Sequence, residues 1–125
     1  MDRYHTVKKN FDFSYVIHNG HFFKNSSYVI YYKDNKRDYY RFGISVSKKL
    51  GNAVNRNKYK RQLRFIIDKY KKYYQNGYDY IIIIRNGSID FSKKDEDFLS
   101  LIEKINNFKE KKWKVKRTYL KYLLY

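Results

Sequence analysis

Residues 41–64 read RFGISVSKKLGNAVNRNKYKRQLR, and this stretch decides the fold because its periodicity changes halfway along. At its start Phe42, Ile44 and Val46 alternate with Arg41, Gly43 and Ser45, the period-two pattern of a strand that buries one face. The opposite face, small or charged, looks accessible to a ligand. From Asn55 or Arg56 the apolar residues Tyr59, Leu63, Ile66, Ile67 and Tyr70 recur at helical spacing, and Asn76-Gly77 supplies a stop near Gln75. A loop with Gly51-Asn52 joins the two. One strand therefore feeds directly into the main helix.

Other elements follow outward from there. Phe11, Phe13, Val16 and Ile17 predict a short helix over residues 10–19, ended by Gly20. Residues 27–33, SYVIYYK, are β-branched and aromatic, and the polar stretch 34–38 suits a hairpin turn into a returning strand at 39–47. Four consecutive isoleucines within residues 78–85 mark a strand covered on both sides, central and parallel. Ser92 with Asp95 three residues on reads as a capping box, opening a helix over 93–112 with a Phe98, Leu99, Ile102, Ile105, Phe108 stripe. The order is helix, strand, strand, strand or turn, helix, strand, helix: an α+β sandwich with a helix layer against one sheet. One domain over residues 1–112 is expected, with a basic, aromatic extension over 113–125 that either continues the helix or docks separately.

Composition narrows the function. The chain has 125 residues, 29 Lys plus Arg against 12 Asp plus Glu, and a net charge of +17 that calls for a polyanionic partner. Without cysteine it forms no disulfide framework and no thiolate metal site, so the cytoplasm is the expected compartment. No apolar run is long enough to cross a membrane, and the N-terminus lacks a signal-peptide pattern. A hydrophobic content of 42%, half of it aromatic at 21%, is too rich for a disordered tail. The 16 tyrosines and the absence of proline reflect gene base composition as much as chemistry.

The charge is patterned within the main helix. With Arg56 at zero, Lys60 falls at about 40°, Arg64 at about 80°, Asn57 at about 100° and Arg61 at about 140° on the helical wheel. These five share a face that abuts the apolar stripe. Three arginines gather here although lysine dominates elsewhere, and the planar guanidinium suits bidentate phosphate or base contacts. The helix start adds unpaired N–H groups and a positive dipole end, where Arg56 and Asn57 are expected to sit.

The uninterrupted string 41–64 resembles the signature of the protein component of bacterial ribonuclease P, and the resemblance extends more loosely over residues 8–112 through the KKNFDF start, YVIYY and YDYIIIIR. It implies a two-layer α-β sandwich with a mixed sheet and a left-handed β-α-β crossover, whereas general rules favour the right-handed form in about 98% of cases. It also implies that an RNA subunit is the catalyst, using Mg2+ to cleave precursor tRNA at the 5′ end of the mature sequence. The protein is then an RNA-binding subunit with no catalytic residue and no metal site of its own, whose expected partners are ribonuclease P RNA and precursor tRNA, with no protein partner. Carried over by position, Arg56, Asn57, Lys58, Lys60, Arg61 and Arg64 form the RNA-binding motif helix. Phe13, Ile17, Val29, Tyr31, Ser45, Lys60 and Arg64 line a cleft for the single-stranded 5′ leader. Ile17 stands where the family often carries an aromatic, and Phe65 where a polar residue is usual; Phe65 is expected to touch the C-terminal extension.

Other readings are weaker. A ribosomal protein shares the size, charge and α+β character, but the motif string separates the two. His18 and His21 are three apart, yet Gly20 breaks the helix between them, which disfavours protein-based acid/base cleavage. Asp95, Glu96 and Asp97 suit a helix first turn better than a metal cluster. Membrane-surface binding requires only the charge and amphipathicity of residues 109–125.

Overall fold

The isoleucine run occupies the centre of the sheet. In the computed structural model, which describes the backbone of residues 6–123 and the side chains of residues 6–112, it belongs to strand β4 (Tyr78–Ile84). The remaining strands are β1 (His21–Lys24), β2 (Tyr28–Asp34) and β3 (Arg41–Val46), and the helices are α1 (Asn10–Asn19), α2 (Ala53–Lys69) and α3 (Phe91–Leu123). The sheet order is β1-β2-β4-β3, with β4 antiparallel to β2 and parallel to β3.

The expected hairpin between residues 27–33 and 39–47 is therefore not formed: β4 lies between the two strands. An apolar strand with no polar alternation gains most when both edges are paired and both faces covered. The loop after β2 accordingly bonds to the approach of β4, with Asn35 N–H donating to the Gly77 carbonyl (2.8 Å) and Gly77 N–H to the Tyr39 carbonyl (3.2 Å). The short strand β1, too brief for a periodicity to register, pairs with the outer edge of β2.

One face of the sheet carries the main core. Tyr28, Ile30, Tyr32, Phe42, Tyr80, Ile82 and Ile84 meet Leu63, Ile66 and Ile67 of α2 and Phe98, Leu101, Ile102 and Ile105 of α3. Each large side chain fully buried here contributes roughly 1.5 to 3 kcal/mol. Helix α2 lies against β3, while α3 lies against β1 and β2. Helix α1 alone packs the other face, where Val7, Val16 and Ile81 form a second small cluster with Phe13, Ile17 and Tyr31.

The helix starts differ from expectation. Asn52, not a residue nearer Asn55, caps α2 by accepting from Asn55 N–H (3.0 Å), and Gly51 reaches that cap through φ +133°, a region other residues rarely adopt. The α3 cap is Asp90, whose carboxylate accepts from Lys93 N–H (2.8 Å), so Ser92 and Asp95 do not make the expected capping box. The backbone of α3 continues unbroken through residue 112 to Leu123, which answers how that segment continues; residues 124–125 and all side chains from 113 lie outside the described residues.

Candidate nucleic-acid interface

Strand register arranges the α1 face into three rows. The first runs Lys33, Asp79, Arg41; the second Phe22, Tyr31, Ile81, Gly43; the third Lys24, Val29, Ile83, Ser45. The first row is closed by charge. Arg41 grips buried Asp79 in a two-pronged pair, Nε–Oδ1 2.8 Å and NH2–Oδ2 2.6 Å, with Asp12 of α1 at 3.6 Å and Asn35 donating to Asp79 as well (2.8 Å). Arg41 is thus committed to the fold rather than to a ligand.

The second row is covered by α1. A Cβ on Gly43 would fall 2.6 Å from Phe13 Cζ and 2.7 Å from Ile81 Cδ1, so only glycine lets the Phe13 ring settle onto the strands. The reading that the whole second face of β3 is open is corrected here: Gly43 is buried, Arg41 is paired, and Ser45 alone is exposed. Tyr31 and Ile17 sit half-buried at the edge of this cover, and the Tyr31 ring lies 5.3 Å from that of Phe22, itself 51% exposed.

The third row is open. Val29 and Ile83 are half-buried and Ser45 exposed, forming a flat apolar floor beyond α1. Ile83 corrects the expectation of a strand covered on both sides. Its role, and that of Phe22, escaped sequence reasoning; alternation along β4, with Ile82 and Ile84 in the core, is the signal that finds Ile83.

Helix α2 presents two unlike flanks. Toward α3, Lys69 pairs with Asp95 (2.8 Å), the Tyr70 hydroxyl also donates to Asp95, and Lys94 donates to Gln62 (2.8 Å) above the Tyr59 ring. Burial pushes Asp95 up, but the hydrogen bonds from Lys69 and Tyr70 outweigh it and hold the carboxyl below its ordinary value. Asp97 is likewise engaged, by Ser27 and by Lys93 at 3.0 Å. Burial and then the charge of Lys58 lower Lys94, which places Lys58 on this inner side, apart from the other motif cations.

The outer flank carries Arg56, Asn57, Lys60, Arg61 and Arg64. None of its four cations, nor Lys58, has an ion pair among the described residues. Arg56 Nε is buried and lacks any acceptor, a donor that a ligand oxygen would satisfy. Because the helix begins at Ala53, Arg56 sits one turn in and its own N–H already bonds the Asn52 carbonyl (3.0 Å), so Arg56 offers a side chain and not a free amide of the helix start. Helix α3 lies on the inner side of α2, and β3, against which α2 packs, is an edge strand of the sheet. A basic helix flank and a strip of partly exposed apolar side chains are the two elements that hold single-stranded nucleic acid. Lys60 is half-buried and Arg64 exposed on that flank, while Phe13 and Ile17 are side chains of α1 itself, half-buried and packed against the small cluster of Val7, Val16 and Ile81.

Other expected groups have structural partners. His18 Nδ1 lies 2.7 Å from the Ser14 carbonyl, and the His21 ring packs 5.6 Å from Phe108. Phe65 meets Phe91 at 5.9 Å; whether it also meets the extension concerns side chains outside the described residues. Among the described residues no helix is long and apolar enough to cross a membrane.

Comparison with known proteins bears on the same residues. A family profile described as Ribonuclease P matches residues 1–106. The ribonuclease P protein component of Mesoplasma florum is 49% identical over 94 residues, covering 71% of this chain and 86% of the relative. That of Mycoplasma mycoides is 38% identical over 108 residues, 84% of this chain and 99% of the relative. Among solved structures, the Staphylococcus aureus RNase P protein superposes with TM-score 0.73 at 36% identity, covering 79% of this chain and 93% of that one. The Thermotoga maritima RNase P protein gives 0.72 at 30% identity, covering 79% and 96%.

Proposed function

The chain belongs to the Ribonuclease P family, and from that premise we propose that it binds the ribonucleoprotein's RNA along the outer flank of α2 and the unpaired 5′ leader of precursor tRNA on the floor beside α1. It is a ribonuclease P protein subunit, and of the two RNA-binding readings the sequence leaves open, the family match supports this one over a ribosomal protein.

The observation that carries the proposal is the set Arg56, Lys60, Arg61 and Arg64 on one flank of α2 with no carboxylate paired to any of them among the described residues. Elsewhere the fold uses its acids to neutralise cations, as at Arg41 and Lys69. Cations left unpaired beside one another repel until a polyanion arrives, and releasing its counterions supplies much of the binding free energy. Guanidiniums add paired hydrogen bonds to phosphate oxygens.

The leader follows the track from Lys60 and Arg64 over Ser45 to Val29, Ile83 and Tyr31. Bases lie on apolar and aromatic surface there, each stacked base worth roughly 1 to 3 kcal/mol. Bond cleavage is assigned to the RNA subunit, with Mg2+ held by that RNA. Asp95 and Asp97, in the first turns of α3, are taken up by Lys69, Tyr70, Ser27 and Lys93 and do not offer a free ligand set. The protein orients substrate and screens RNA repulsion in a cytoplasmic particle.

Reconstitution tests this directly. A bacterial ribonuclease P RNA at low magnesium, assayed on precursor tRNA with and without a leader of several nucleotides, is expected to be stimulated by the chain in the leader-bearing case. Binding without stimulation would leave only a general RNA-binding module, and cleavage by the polypeptide alone would refute the assignment of chemistry to the RNA.

A further inference from the structure

Across the sheet from the leader floor lies a pocket of about 1230 Å³ that the reading above leaves unused, set between the turn Lys71–Tyr73, the start of β4 and α3. Its most unusual wall is Lys109. This residue is only 9% exposed, yet its ammonium has no carboxylate partner among the described residues; it donates to the Tyr80 hydroxyl (2.8 Å) and lies 3.5 Å over the Tyr78 ring. The neighbouring Tyr32 hydroxyl is buried without any hydrogen-bond partner. A buried amine and an unpaired hydroxyl side by side are costly unless something fills the space before them.

The mouth indicates what that is. Exposed Lys72 and Lys112 line it together with Glu110 and with Asp34, which pairs with Lys33 at 2.9 Å, and Tyr73 and Phe108, each 39% exposed, stand beside half-buried Tyr78. Cations set among accessible rings match an anion that carries flat aromatic groups, which is the chemistry of nucleotides. The volume exceeds the roughly 300 to 1,000 Å³ of ordinary small-molecule sites, so a single nucleotide leaves much of it empty. The chain's net charge of +17 favours a polymer over a monomer.

We propose that this pocket is a second site for unpaired RNA, seating a phosphate against Lys109 and stacking bases on Tyr73, Tyr78 and Phe108. It is separate from the leader floor, because Tyr32 and Tyr31 project to opposite faces of the sheet. A phosphate oxygen there supplies both the counter-charge that Lys109 lacks and the acceptor that the Tyr32 hydroxyl lacks.

The test titrates the full chain with hexa-adenylate RNA, AMP and inorganic phosphate while following backbone amide resonances at the pocket (Tyr73, Asn106, Phe108) and at the leader floor (Val29, Ser45, Ile83). Hexa-adenylate is expected to move both groups. Lys109→Met, which replaces an unpaired buried charge by an apolar side chain of similar length, is expected to weaken the pocket response at least tenfold and leave the floor response unchanged. Phe108→Ala, at a partly exposed position, gives an independent second variant with the same expected direction. AMP is expected to saturate the pocket at least tenfold more weakly than hexa-adenylate. Pocket resonances that stay still while the floor responds would overturn the second site and spare the leader reading; a responding pocket with a silent floor would do the reverse. Equal affinity for AMP, or a response to inorganic phosphate matching that to RNA, would overturn the RNA strand as occupant in favour of a free nucleotide or an adventitious anion only.

Discussion

The two flanks of α2 carry similar numbers of polar side chains and do opposite work. On the inner flank Gln62, Lys69 and Tyr70 meet Lys94 and Asp95, and Lys69 finds its counter-charge on α3. On the outer flank Arg56, Lys60, Arg61 and Arg64 find no acid among the described residues. Both kinds of position look alike in composition. What separates them is geometry: one side of the helix faces α3, which supplies a carboxylate to Lys69, and the other meets no carboxylate among the described residues. Unpaired cations in a fold able to pair them elsewhere are a cost to stability that binding recovers.

The largest expected break in this comparison comes from removing the outer flank. Arg56→Ala, Arg61→Ala and Arg64→Ala together should weaken affinity for ribonuclease P RNA by roughly a hundredfold at moderate salt, measured by filter binding, while leaving the thermal midpoint nearly unchanged. Next, Gly43→Val should displace Phe13 and lower stability by about 2 to 3 kcal/mol in urea unfolding, since Phe13 Cζ and Ile81 Cδ1 already occupy the space of a Cβ. Tyr31→Ala should reduce leader-dependent substrate affinity by about 1 to 2 kcal/mol without changing its salt dependence, because stacking releases no counterions.

A further effect is a slope with pH. Burial pushes Lys109 down to about 7, so between that value and the ordinary lysine range the unfolded chain binds a proton that the folded chain does not. Stability contributed by this group is therefore fully present only above the unfolded value and is lost as pH falls toward 7. From pH 7 to 9.5 unfolding free energy should rise by at most about 1.4 kcal/mol per pH unit, and Lys109→Met should flatten that rise. Tyr28, Tyr74 and Tyr80, all raised by burial, act in the opposite sense and only at higher pH.

Much of this was legible in the sequence, for reasons that differ by element. The α2 stripe of Leu63, Ile66 and Ile67 was readable because one face of a long helix obeys one period, and the β3 alternation correctly turned Phe42, Ile44 and Val46 toward the core. The β2–β3 hairpin was misread because local turn chemistry at 34–38 says nothing about a strand arriving forty residues later. The capping box at Ser92 failed because Asp95 found a better partner in Lys69, a contact between distant segments. The open face of β3 was overestimated for the same reason, since Arg41 is claimed by Asp79 and Gly43 by Phe13. Residue identity marked the basic motif; only packing shows which of its cations are left unpaired on the outer side and that Lys58 sits near α3.

The most direct test of the account is the salt dependence of ribonuclease P RNA binding for two matched variants, one with Lys60, Arg61 and Arg64 changed to Gln, the other with Lys69, Lys93 and Lys94 changed to Gln. The account predicts that the first flattens the slope of log K against log salt by about two to three contacts' worth and the second by less than about one. Equal flattening in both would contradict it, since charge alone, and not the flank on which it stands, would then govern binding.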